Sequence, residues 1–83
     1  MYNVYMPVIM RIGSIKFYIY PQDHRPAHVH VVSADSEAKF EILTGECIAN
    51  YGFNQKSIKA LSREVVTKQA ELLEAWKEYE GEE

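Results

Sequence analysis

The chain has 83 residues, of which 47% are hydrophobic and 25% charged, and its formal net charge is −3. That length makes one domain, residues 1–83, burying only about 60% of the surface its unfolded chain exposes. The composition excludes a low-complexity or fibrous chain, a single cysteine excludes an internal disulfide, and the acidic balance disfavours a domain-wide field for nucleic acid.

The lone Cys47 also fits a reducing compartment. No stretch approaches the roughly 20 apolar residues that a membrane span needs. The N-terminus lacks a basic start, and Arg11 and Lys16 interrupt its apolar run, so a signal peptide is not expected. The expectation is a cytoplasmic protein with no membrane contact. A lone core of this size yields only about 3–5 kcal/mol of net stability, which makes a homodimer one expectation on energetic grounds.

In chain order, Met6-Pro7 offers an alternative beginning of the domain. Val8 to Ile12 is apolar and β-branched, and Gly13-Ser14 supplies a turn or bulge. Ile15 to Tyr20 alternates strictly, with Ile15, Phe17 and Ile19 toward a core and Lys16, Tyr18 and Tyr20 away from it. Pro21 has no N–H to donate and stops that ladder. Val8 to Tyr20 is therefore two strands, or one strand bent at Gly13.

A polar turn follows, then a strand from Ala27 to Ser33 with Ala27, Val29 and Val31 on one side and His28, His30 and Val32 on the other. Ala34-Asp35-Ser36 suits a hairpin connection. Glu37 to Leu43 alternates again, placing Ala38, Phe40 and Ile42 inward. Thr44-Gly45-Glu46 reads as a tight turn with Gly45 free to take a positive φ. Cys47 to Ala49 forms a brief last strand, and residues 50–54 are the loop into a helix.

From Gln55 to about Tyr79 neither Pro nor Gly occurs, and Asn54 is the expected N-cap. Ile58, Leu61, Val65, Leu72, Leu73, Trp76 and Tyr79 make one apolar stripe. About 25 helical residues span roughly 37 Å, whereas six-residue strands reach only about 20 Å. One long helix overruns such a sheet. Either it breaks between Thr67 and Gln69, or Leu72, Leu73 and Trp76 form an interface with a partner. The fold class is α+β: an antiparallel meander of three to five strands with one long C-terminal helix packed on one face. The other face, with Lys16, Tyr18, Tyr20, His28, His30, Lys39 and Glu41, is expected to be open.

All three histidines fall within Asp23-His24-Arg25-Pro26-Ala27-His28-Val29-His30. His28 and His30, two apart on a strand, share one face with Cα atoms about 6.8 Å apart. Two neutral imidazoles at that spacing can converge on a divalent metal such as Zn. His24 is the candidate third ligand, and Asp23 a fourth or an orienting acceptor. Glu41 offers a further carboxylate on that face. The metal-free alternative makes His28 and His30 an acid–base pair for phosphodiester cleavage, with Arg25 or Lys16 stabilising developing charge. The plain alternative is structural histidines, one of them bonded to the turn's backbone. For Cys47, with no adjacent base, the expected role is a small buried hydrophobe.

Asp-His-x-Pro-x-His-x-His after an aromatic β-run resembles the bacterial proteins grouped as the domain of unknown function DUF4160. The likeness extends to the strand Lys39 to Ile42, the turn Thr44-Gly45-Glu46 and the helical close Glu71 to Trp76. Two positions depart from the usual pattern: Ala27 replaces a second proline, and Lys68 stands where the family commonly carries a histidine. The resemblance implies a component of a two-gene, toxin–antitoxin-like module, with a small cognate protein of the DUF2442 type as partner. The leading expectation is a protein that acts by protein–protein contact. The alternatives are a His- or metal-dependent ribonuclease-type toxin using His28, His30 and Arg25, and a metal-binding domain using Asp23, His24, His28 and His30.

Overall fold

The computed structural model describes residues 8–20 and 25–80. Five strands and two helices follow one another without interleaving: β1 (Val8–Ile12), β2 (Ile15–Tyr18), β3 (His28–Val32), β4 (Glu37–Glu41), β5 (Cys47–Tyr51), α1 (Gln55–Thr67) and α2 (Gln69–Glu80). The strands form one antiparallel sheet in the order β1-β2-β3-β4-β5, a meander with β1 and β5 at its edges. The fold class is thus α+β, at the upper end of the expected strand count. Met6, Pro7 and Pro21 lie outside the described residues.

Local chemistry sets the corners. Gly13, with φ +60°, turns β1 into β2 in two residues. Between β4 and β5, Gly45 has φ +77°, and its N–H donates to the Glu41 carbonyl at 2.8 Å. The Glu46 N–H donates to Thr44 Oγ1 at 3.1 Å, closing the turn from the other side. β5 runs two residues further than expected, to Tyr51. From within β5, Asn50 reaches over the following loop, donating from Nδ2 to the Phe53 carbonyl and accepting from its N–H at Oδ1. Asn54 is the N-cap of α1, its side-chain oxygen accepting from the Ser57 N–H at 2.8 Å.

One face of the sheet and the helices share the core. Phe17, Ile19, Val29, Val31, Ala38, Phe40 and Ile42 come from the sheet side, and Ile58, Leu61, Val65, Leu72 and Trp76 from the helices. The inward alternation expected of β2, β3 and β4 is observed. Two polar contacts tie the helices down. Ser62 Oγ donates to the Gly45 carbonyl at 2.6 Å, and Gln69 Nε2 donates to the carbonyls of Ile42 and Leu43 at 3.0 and 2.9 Å.

The C-terminal helical run is two helices rather than one. The boundary is Lys68, inside the window where the length argument placed a break. It is a kink more than an end. The Lys68 N–H still donates to Glu64, and its carbonyl accepts from the Leu72 N–H. No glycine or proline causes it; the adjacent Gln69 is held instead by the sheet's two carbonyls. The kink brings the distal apolar residues onto the chain's own core. Leu72 is 0% and Trp76 4% exposed, with Leu73 half-buried. Leu72 and Trp76 therefore offer no surface to a partner, which corrects the interface expectation for both.

Candidate functional site

Register places the polar residues of the second face in rows. Arg11, Lys16, Val32, Glu37 and Tyr51 are successive cross-strand partners over all five strands. The next row holds Val8, Tyr18, His30, Lys39 and Ala49. His28 stands beyond it, opposite Glu41. The two histidines do share a face with Lys16, Tyr18, Lys39 and Glu41, as the strand period requires.

That face is not open where the histidines sit. His28 and His30 are 5% and 7% exposed, a correction to the expectation of a solvent-facing pair. Their covers are aromatic rings. Tyr20 stacks on His30 with centroids 3.8 Å apart and planes 5° from parallel. The His30 ring meets His28 edge-on at 5.2 Å and 67°, and His28 packs against Trp76 of α2 at 5.2 Å and 52°. The four rings Tyr20, His30, His28 and Trp76 make one continuous row. Sequence reasoning missed it. Parity on paired strands could have suggested Tyr20, because it lies diagonal to His30 on the same face. Nothing local signals Trp76.

Each imidazole has an identified partner at Nδ1. His28 Nδ1 lies 2.7 Å from the Pro26 carbonyl oxygen. A carbonyl only accepts, so Nδ1 carries the proton, and in the neutral ring Nε2 is then the basic nitrogen. This bond spans the turn, whose Arg25–Pro26 peptide is cis. His30 Nδ1 is 3.7 Å from Glu37 Oε2, a charge contact when the imidazole is protonated. The carboxylate expected on this face was Glu41. Its Oε1 instead accepts from Thr44 Oγ1 at 3.2 Å, while Glu37, diagonal to His30, approaches the ring.

The remaining candidates are placed as follows. Arg25 is exposed on the turn leading into β3. Asp23 and His24, the further ligand candidates, lie outside the described residues. Among the described residues, no group of three or more His, Cys, Asp or Glu is arranged to hold a metal ion. Cys47 is half-buried on β5 and donates to the Ala49 carbonyl at 3.3 Å. Burial pushes its thiol above the ordinary range. Chemically, the site offers a buried imidazole pair, one ring held at Nδ1 by a carbonyl and the other with a carboxylate 3.7 Å from its Nδ1.

Two hollows flank the Arg11–Tyr51 row. One, of about 410 Å³, is lined by Arg11, Ser14, Lys16, Tyr18, Val32 and Ser33 with Ala34. Its neighbour, lined by residues of the β3–β4 turn with Glu37 and Tyr51, contains the acids Asp35 and Glu37. The face is electrically graded, cationic over β1–β2 and acidic over β4.

Comparison with known proteins returns one family, described as a domain of unknown function (DUF4160), which matches residues 14–77. No curated protein and no solved structure matches the chain.

Proposed function

The chain belongs to the DUF4160 family, and from that membership we propose that it is a bacterial, cytoplasmic component of a two-gene, toxin–antitoxin-like module. It acts by binding a small cognate protein of the DUF2442 type. The observation that carries this reading is the β5 side of the sheet. The large apolar residues exposed among the described ones are Leu43, Ile48, Tyr51 and Val66. Ile48 and Tyr51 lie on the edge strand, Leu43 on the turn before it, and Val66 on α1 beside Gly45 of that turn. β5 contains no charged residue and no proline, the devices that ordinarily protect an edge from pairing. An uncharged edge with apolar flanks suits a docked polypeptide.

The histidines weigh the same way. Their burial between rings, with His28 bonded to backbone, supports a role in shaping the fold. The second reading, a His-dependent ribonuclease-type toxin, is favoured by the Glu37 carboxylate 3.7 Å from His30 Nδ1, which would stabilise a protonated imidazole. The third, a metal-binding domain, is favoured by the carbonyl that fixes the orientation of the His28 ring through Nδ1; it requires Asp23 or His24 to join the pair.

Co-expression with the product of the adjacent gene tests the proposal. The two proteins are expected to co-purify, and Ile48→Lys or Tyr51→Lys is expected to separate them without lowering the melting temperature. Co-purification unaffected by both substitutions overturns the docking surface. Growth arrest by the chain alone, abolished by a folded His30→Gln variant, replaces the proposal with the ribonuclease reading. No helix among the described residues is long and apolar enough to cross a membrane.

A further inference from the structure

We propose that the hollow over β1–β2 binds the phosphate group of a nucleotide, through Arg11, Ser14 and Lys16, with Tyr18 as a platform for the attached ring. The site is independent of the β5 docking edge and lies at the opposite side of the sheet.

The charge arrangement points to an anion. Arg11 and Lys16 are directly opposed partners on antiparallel strands, a placement in which like charges repel. Among the described residues neither has a carboxylate partner, and the lining of the hollow contains no Asp or Glu. Asp35, 3.5 Å from Ser33 Oγ, lines the neighbouring hollow instead. A bound anion relieves the repulsion between the two cations.

The donors select phosphate. A guanidinium fork donates to two oxygens of a tetrahedral anion at once, an ammonium supplies a compact charge, and Ser14 adds a hydroxyl donor. The size selects something larger than a lone ion. A hollow of about 410 Å³ lies within the range of roughly 300–1,000 Å³ that small organic ligands occupy. Tyr18, half-buried beside Lys16 on the same face, supplies the flat apolar wall on which a base stacks. The same chemistry is presented by a free nucleotide and by one residue of a single RNA strand.

Amide chemical-shift titration of the full chain tests the site with four probes: inorganic phosphate, adenosine monophosphate, an eight-residue oligouridylate and hexaglutamate. Adenosine monophosphate or the oligouridylate is expected to shift Arg11, Ser14, Lys16 and Tyr18, and to bind at least tenfold more tightly than phosphate. Tighter binding of the oligomer assigns the source to RNA; equal binding assigns it to free nucleotide. Arg11→Gln and Lys16→Gln, each checked for an unchanged melting temperature, are expected to weaken binding tenfold or more. Absence of shifts at millimolar nucleotide overturns the proposal, as does binding that survives both substitutions. Equal binding of hexaglutamate overturns it in favour of an acidic peptide, and equal binding of phosphate removes the role of Tyr18.

Discussion

Tyr20 covers His30 face to face, with ring centroids 3.8 Å apart and planes 5° from parallel. Substituting Tyr20→Leu keeps an apolar cover but removes the stack. Aromatic pairs contribute about 0.5–1.5 kcal/mol beyond their buried area, so a loss of that order is expected in urea unfolding. A variant as stable as the parent denies the ring row any structural weight.

Leu72 and Leu73 are neighbours in sequence, but only Leu72 is fully buried. Leu72→Ala is expected to destabilise by about 2–5 kcal/mol, enough to unfold much of so small a domain, and Leu73→Ala by clearly less. Thermal melts compare the two. If instead Leu72→Ala melts normally and changes the apparent mass on gel filtration, the residue is an interface residue after all.

Gly13 and Gly45 both hold positive φ, yet differ in surroundings. A Cβ on Gly13 meets nothing within 4 Å, whereas one on Gly45 falls 2.5 Å from Val66 Cγ2 and 3.1 Å from the Ser62 carbonyl oxygen. Gly13→Ala should cost about 1–2 kcal/mol, the ordinary left-handed strain. Gly45→Ala should cost more, because it also pushes α1 away from the turn. Equal losses would mean that α1 yields freely.

Trp76 Nε1 is buried with no hydrogen-bond partner among the described residues. Such an unmet donor costs about 1–3 kcal/mol. Trp76→Phe removes the donor along with part of the ring, so its net loss should fall well short of the roughly 3–5 kcal/mol expected for Trp76→Ala. Chemical denaturation of the pair measures the difference; equal losses contradict this account.

Cys47 has its thiol raised by burial. At pH 8 the native protein should react with iodoacetamide more slowly than the urea-unfolded chain. The sign for stability follows: the native state favours the neutral thiol, so this contribution is complete below the unfolded thiol's pKa. It is lost as pH rises through the higher native value. Cys47→Ser should flatten the alkaline side of the stability profile.

The sheet was legible from sequence because strand parity is a local property. Phe17, Val29, Val31, Ala38 and Phe40 are buried where period two puts them, and Gly45 and Asn54 perform the turn and cap their chemistry suits. The kink at Lys68 was one of two alternatives, since no Gly or Pro marks it; its partner contacts, from Gln69 to the carbonyls of Ile42 and Leu43, lie 27 and 26 residues away. The same limit applies to the histidines. Their face followed from spacing, but their burial depends on Tyr20 beyond the end of β2 and on Trp76 in a helix. Asp23 and His24 lie outside the described residues.

The strictly sequential strand order has a further consequence for how the chain comes into being. Each strand pairs with the one made just before it, so the sheet can be assembled hairpin by hairpin as the polypeptide lengthens, with only local connections to close. The ring row is different. Tyr20, His28 and His30 are present once the third strand exists, but Trp76 is encoded near the far end of the chain. His28 therefore waits through the synthesis of β4, β5 and both helices for its cover, and a ribosome that stops before α2 releases a sheet with that ring still uncovered.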